Sequence, residues 1–156
     1  MEQKVIIPEW TIVSEVELVY KSKVKASTRP LIKKTKDAYD LLNQLWNQGT
    51  IELQEEFKAL FLNRANRVLG VYNLSKGGIT GTVADPKLLL AAALKCACVG
   101  VILSHNHPSL KLTPSRADEE MTDRINQACK LLDLRLLDHI IITSEGYYSF
   151  ADEGLL

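Results

Sequence analysis

The sequence predicts a single α/β domain, one mixed β-sheet with helices packed against it. Three observations lead there. Short apolar or alternating runs are interleaved with longer segments of helical period. The chain has 156 residues, 46% hydrophobic and 24% charged, enough apolar material for one core without disulfide staples. No internal repeat or linker divides it.

Residues 15–20 alternate, with Val16, Leu18 and Tyr20 opposite Glu15 and Glu17, which predicts a half-buried strand. Seven Lys/Arg and no acid follow between Lys21 and Lys36. A solvated sheet edge accounts for them, and a nucleic-acid contact would want interleaved aromatic platforms that are missing. Thr35 is the expected N-cap of a helix over 36–47, with Ala38, Leu41, Leu42, Leu45 and Trp46 on one face and Gly49 as the stop. Residues 57–62 and 68–74 read as strands of a hairpin around the turn 63–66. Gly77, Gly78 and Gly81 mark a loop or bulged strand. Asp85-Pro86, an N-cap followed by Pro at the first helical position, opens a helix to about Ala97. Residues 99–103 form a fully apolar strand, 114–132 a helix, 134–143 a strong strand and 147–150 a last short one. Residues 1–49 are expected to extend the domain formed by 50–156.

Formal net charge is zero, so no global field draws the chain to nucleic acid. Residues 1–8 lack the apolar core and cleavage site of a signal peptide. The longest apolar runs fall well short of the roughly 20 residues that span a bilayer. A cytoplasmic protein without membrane attachment is expected. Cys96, Cys98 and Cys129 then read as reduced, buried thiols, since the Cys96–Cys98 spacing lacks a second pair to make a zinc knuckle.

The chemistry concentrates in residues 104–118. His105 and His107 are two apart after a buried strand, and in extended backbone such residues face the same side. Asp118 supplies a carboxylate from the first turn of the next helix. Two imidazoles and one carboxylate can hold zinc and leave a fourth position for water, the open arrangement of a catalytic site. Ser115 and Asp118 are also spaced as a helix-capping pair, and Thr113-Pro114 is an equally good helix start. His139, in an apolar strand, reads as a hydrogen-bonded core residue or one that orients a ligand, and not as a ligand itself.

His-x-His, seven residues, Ser, two residues and Asp is the signature of the JAMM (MPN+, JAB) metalloprotease domain, and His105, His107, Ser115 and Asp118 match it without a gap. His105-Asn106-His107-Pro108-Ser109, with Leu62-Asn63-x-x-Asn66, Asp138-His139 and Tyr148-Ser149-Phe150, resembles the bacterial RadC-like branch, often labelled DNA repair proteins. The resemblance covers about residues 50–156. It implies a JAB1/MPN, cytidine-deaminase-like architecture and a zinc hydrolase of peptide or isopeptide-like amides. It also implies Glu55 as general acid/base, in preference to its neighbour Glu56, and Ser115 as donor to the oxyanion. A peptide or protein substrate is expected, together with an association with DNA or repair proteins.

Two departures stand out. RadC-like proteins usually carry Gly where this chain has Leu110, a position at which Gly can take positive φ. Longer members also carry an N-terminal helix-hairpin-helix module, for which this chain is too short. The alternative function is a non-enzymatic MPN-fold interaction or repair-associated protein that keeps its zinc for stability. Barrel amidohydrolases need about 250 residues. Non-haem iron oxygenases share a two-His, one-carboxylate set but place the acid close after the first His.

Overall fold

The computed structural model describes residues 11–78 and 82–156. Five strands form one mixed sheet in the order β2-β1-β3-β4-β5. β1 (Glu56–Leu62) and β2 (Val68–Lys76) make the expected hairpin. β3 (Gly100–Asn106) runs antiparallel to β1 and parallel to β4 (Arg135–Ile142), and β5 (Tyr147–Ser149) closes the far edge antiparallel to β4.

Strand alternation splits the core in two. Phe57, Ala59, Phe61, Val101 and Leu103 face the helices α2 (Pro86–Lys95) and α3 (Arg116–Leu131), meeting Leu89, Ala93, Ile125 and Cys129. Leu60, Leu62, Ile102, Ile140 and Ile142 face the other way, onto Ala38, Leu42 and Trp46 from α1 (Thr35–Leu45) and its cap. The domain is therefore three layers, α2 and α3, sheet, then α1. The three cysteines are free and buried.

Several boundaries differ from the expectations. Residues 12–23 carry no regular structure, and Val16 and Leu18 are 92% and 75% exposed. Alternation makes a strand only where an edge supplies hydrogen bonds and a core covers one face. Segment 15–20 has neither among the described residues, although the Tyr20 hydroxyl donates to the Leu69 carbonyl at 2.5 Å. The α1 cap is Lys34 rather than Thr35, because Asp37 Oδ2 accepts the Lys33 and Lys34 amides at 2.8 and 3.0 Å. α1 ends at Leu45 with Trp46 extended, so Gly49 plays no part in stopping it, and Leu45 is exposed. α2 and α3 stop at left-handed Ala97 and Asp133, with φ of 51° and 54°. α3 starts after Ser115, not at Pro114. β3 runs on to Asn106, which places His105 inside the strand. Residues 1–8 and Gly81 lie outside the described residues. Among the described residues no helix is long and apolar enough to cross a membrane.

Candidate metal centre

His105 is the penultimate residue of β3, fully buried on the α3 face. Its ring stacks on its cross-strand partner Phe57, 5.2 Å between centroids and 7° from parallel. His107 lies just beyond the strand, yet its amide still donates to the Ile142 carbonyl at 3.0 Å, so the backbone stays extended and both imidazoles face one side. Leu110 then closes a turn onto the His107 carbonyl with φ of +64°. Leu110 thus adopts the conformation for which glycine is suited, and the turn forms at the cost of local strain.

Asp118 is the third residue of α3; it forms the helix cap read from the sequence and also faces the two histidines. Its Oδ2 accepts the Ser115 amide at 2.6 Å and the Ser115 hydroxyl at 2.7 Å, completing a capping box. Its Oδ1 lies 3.1 Å from His105 Nε2, and Oδ2 lies 3.5 Å from His107 Nε2. The two Nε2 atoms are 2.9 Å apart. His105, His107 and Asp118 are the cluster among the described residues whose donor atoms all fall within 4.8 Å of one another.

Hydrogen-bond bookkeeping fixes the ring protons. A carbonyl can only accept, so the Thr122 hydroxyl, 2.6 Å from the Asp118 carbonyl, donates to it. Thr122 Oγ1 is also 2.5 Å from His139 Nδ1, which must then donate. Burial above all holds the His139 pKa well below 6.5, so this ring is neutral and its Nε2 carries a lone pair. That Nε2 is 2.8 Å from His105 Nδ1, which therefore bears the proton. His107 Nδ1 likewise donates to the Lys111 carbonyl at 2.5 Å. Both Nε2 atoms are left as lone pairs aimed, with the Asp118 carboxylate, at one point. Such a set needs positive charge in its midst, either a proton or a metal ion. When a proton fills that place, burial alone would raise the Asp118 pKa, but the hydrogen bonds that His105 and His107 Nε2 can then give it prevail and hold it far below the usual carboxylate range. Burial would lower His107, but Asp118 and the Lys111 carbonyl prevail and raise it. The donor spacings bracket the edge of about 3.3 Å expected for a tetrahedron with bonds near 2.0 Å, so the residues fit zinc.

Glu55 and Glu56 separate as adjacent residues at a strand start should. Glu55, half-buried, lines a cleft of about 470 Å³ with His107, Lys111, Ser115 and Asp118. Glu56 turns away, bonding Lys58 Nζ at 2.9 Å. Sequence reasoning missed Thr122, whose one signal is its place a helical turn after Asp118 on the buried face. It also gave Asn106 no role, although Asn106 is fully buried between the two histidines.

The family model for the RadC-like JAB domain matches residues 32–155. The chain belongs to this family. Relatives include a UPF0758 protein of Flavobacterium johnsoniae, 44% identical over 124 residues, which are 80% of this chain and 53% of that protein. A UPF0758 protein of Porphyromonas gingivalis is 45% identical over 66% of this chain and 46% of its own length. UPF0758 protein YfjY of Escherichia coli is 43% identical over 66% of this chain and 64% of its own. The matched region thus spans about half to two thirds of those relatives. The mixed sheet with helices on both faces agrees with the JAB/MPN architecture that the resemblance implied.

Proposed function

We propose that this RadC-like JAB domain is a zinc-dependent hydrolase of peptide or isopeptide-like amides. The carrying observation is the convergence of two imidazole lone pairs and a carboxylate at the wall of a cleft that also holds Glu55. Zinc bound by His105, His107 and Asp118 would supply a Lewis acid and a water acidified to a pKa of about 7. Glu55 takes the proton of the attacking water and returns it to the leaving amine. Ser115, which lines the same cleft, would donate to the developing oxyanion. Its hydroxyl proton is held by Asp118 Oδ2, so this donation requires the hydroxyl to rotate toward substrate. The cleft is lined by the 107–114 loop, the start of α3 and Glu55 at the start of β1, and the substrate class we assign to it is a peptide or protein. A domain that kept zinc only for stability would have no use for a carboxylate beside the metal ligands.

Elemental analysis of the purified chain beside His107→Ala/Asp118→Ala tests the site. About one zinc per native chain, lost in the double variant, supports it. No metal in the native chain after zinc is supplied refutes it. Glu55→Gln should then keep zinc and lose amide hydrolysis; loss in Glu56→Gln instead would assign the base to the neighbour.

A further inference from the structure

The two histidines flank a residue that points the opposite way. Asn106 is fully buried on the α1 side of β3. Its Nδ2 donates to the Ile51 carbonyl at 2.7 Å and the Gln54 carbonyl at 2.8 Å, and its Oδ1 accepts the Glu56 amide at 2.7 Å. Both amide protons and one oxygen lone pair are thereby used, all on the short stretch of chain that carries Glu55. Only a carboxamide satisfies this set. A carboxylate would turn an oxygen toward two carbonyls, and a methyl group would leave all three backbone groups unpaired. From its other side Glu55 is tied to the end of β2, its carbonyl accepting the Gly77 amide at 2.7 Å.

We propose that Asn106 is a positioning residue that sets the Glu55 carboxylate against the two histidines. The clamp is the side chain of the residue between His105 and His107, so the backbone on either side of Glu55 is held to the strand that carries both histidines. Among the described residues, the hydrogen bonds from β3 to residues 51–56 at this point are those of the Asn106 side chain. The inference rests on Glu55 being the base of the proposed hydrolase.

The test uses the full chain and Asn106→Ala, labelled with ¹³C at glutamate carboxyls, in metal-free, zinc and cobalt(II) forms. The Glu55 signal is assigned by its loss in Glu55→Gln. In the native protein Glu55 should show the largest cobalt-induced shift of any glutamate. In Asn106→Ala the metal should still bind one per chain, the Glu55 shift should fall into the range of the other glutamates, and the Glu56 amide should exchange about tenfold faster. An unchanged Glu55 shift in a variant that binds cobalt would overturn the inference, leaving Asn106 as a partner for turn carbonyls alone. Should Asn106→Ala not fold, Asn106→Ser takes the same readings. If the native chain binds neither metal, the hydrolase reading fails separately, and the metal-free exchange rate of Glu56 decides the clamp, an unchanged rate refuting it.

Discussion

Replacing Thr122 by Val removes one hydroxyl and keeps the side-chain shape. That hydroxyl accepts the His139 Nδ1 proton while donating to the Asp118 carbonyl. In the variant, His139, which is fully buried, faces a methyl group. An unpaired buried N–H costs roughly 1–3 kcal/mol. His139 escapes that cost by moving its proton to Nε2, but His105 Nδ1 must then accept, which puts the His105 proton on the Nε2 that faces the metal. Either course weakens the site. Loss of such an outer hydrogen bond typically lowers metal affinity by about 10–100-fold, or roughly 1.4–2.7 kcal/mol. Competition titration of zinc against a chelator at neutral pH measures this, with urea unfolding run beside it. Thr122→Ser, which keeps the hydroxyl, should lose some stability with its methyl group and keep native affinity. A folded Thr122→Val protein binding zinc within about threefold of native would refute the proton assignment, because the steering of His105 is what should carry the effect.

The other predictions concern pH, strain and the second glutamate. His107 in the metal-free protein holds its proton more tightly than usual, with a pKa above 6.5, so zinc must displace that proton; affinity measured by titration should fall as pH drops through this raised pKa, by about tenfold per unit. Leu110→Gly removes a left-handed strain of about 1–2 kcal/mol but adds roughly 0.5–1 kcal/mol of chain entropy to the unfolded state, so urea unfolding should show a net gain near 0.5–1 kcal/mol; a loss beyond about 1 kcal/mol would mean that the Leu110 side chain packs usefully. Glu56→Gln should cost about 1–3 kcal/mol of stability without changing zinc content, because it replaces the carboxylate that neutralises the buried Lys58 ammonium by an uncharged amide; unchanged unfolding would show that pair to be idle.

The candidate ligand set was legible as a cluster because its parts are close in sequence and chemically distinctive. His105 and His107 need only extended backbone to face one point, and Asp118 needs only the next helix to start at Ser115. Cap and candidate ligand are compatible at Asp118, because the carboxylate that closes the capping box through Oδ2 also lies against His105 through Oδ1 and His107 through Oδ2. Asn106 and Thr122 stayed hidden for a different reason. An asparagine next to a histidine carries no signal of what it binds, and its partners arrive from 50 residues upstream through the antiparallel β1–β3 pairing. The strand expected over residues 15–20 failed because alternation reports what a segment could bury, not whether a neighbour exists to bury it. Helix ends at Ala97 and Asp133 were blurred because left-handed stops there do not use glycine.

The β1–β3 pairing also sets when the site appears during folding. In the unfolded chain only His105 and His107 are close enough to share an ion. The Glu55 carboxylate reaches them only after a loop of about 50 residues has closed and two strands have zipped in register. Such non-local pairing is slow relative to helix formation. Zinc should therefore leave the refolding rate almost untouched and instead slow unfolding, acting as a late latch on a sheet already built.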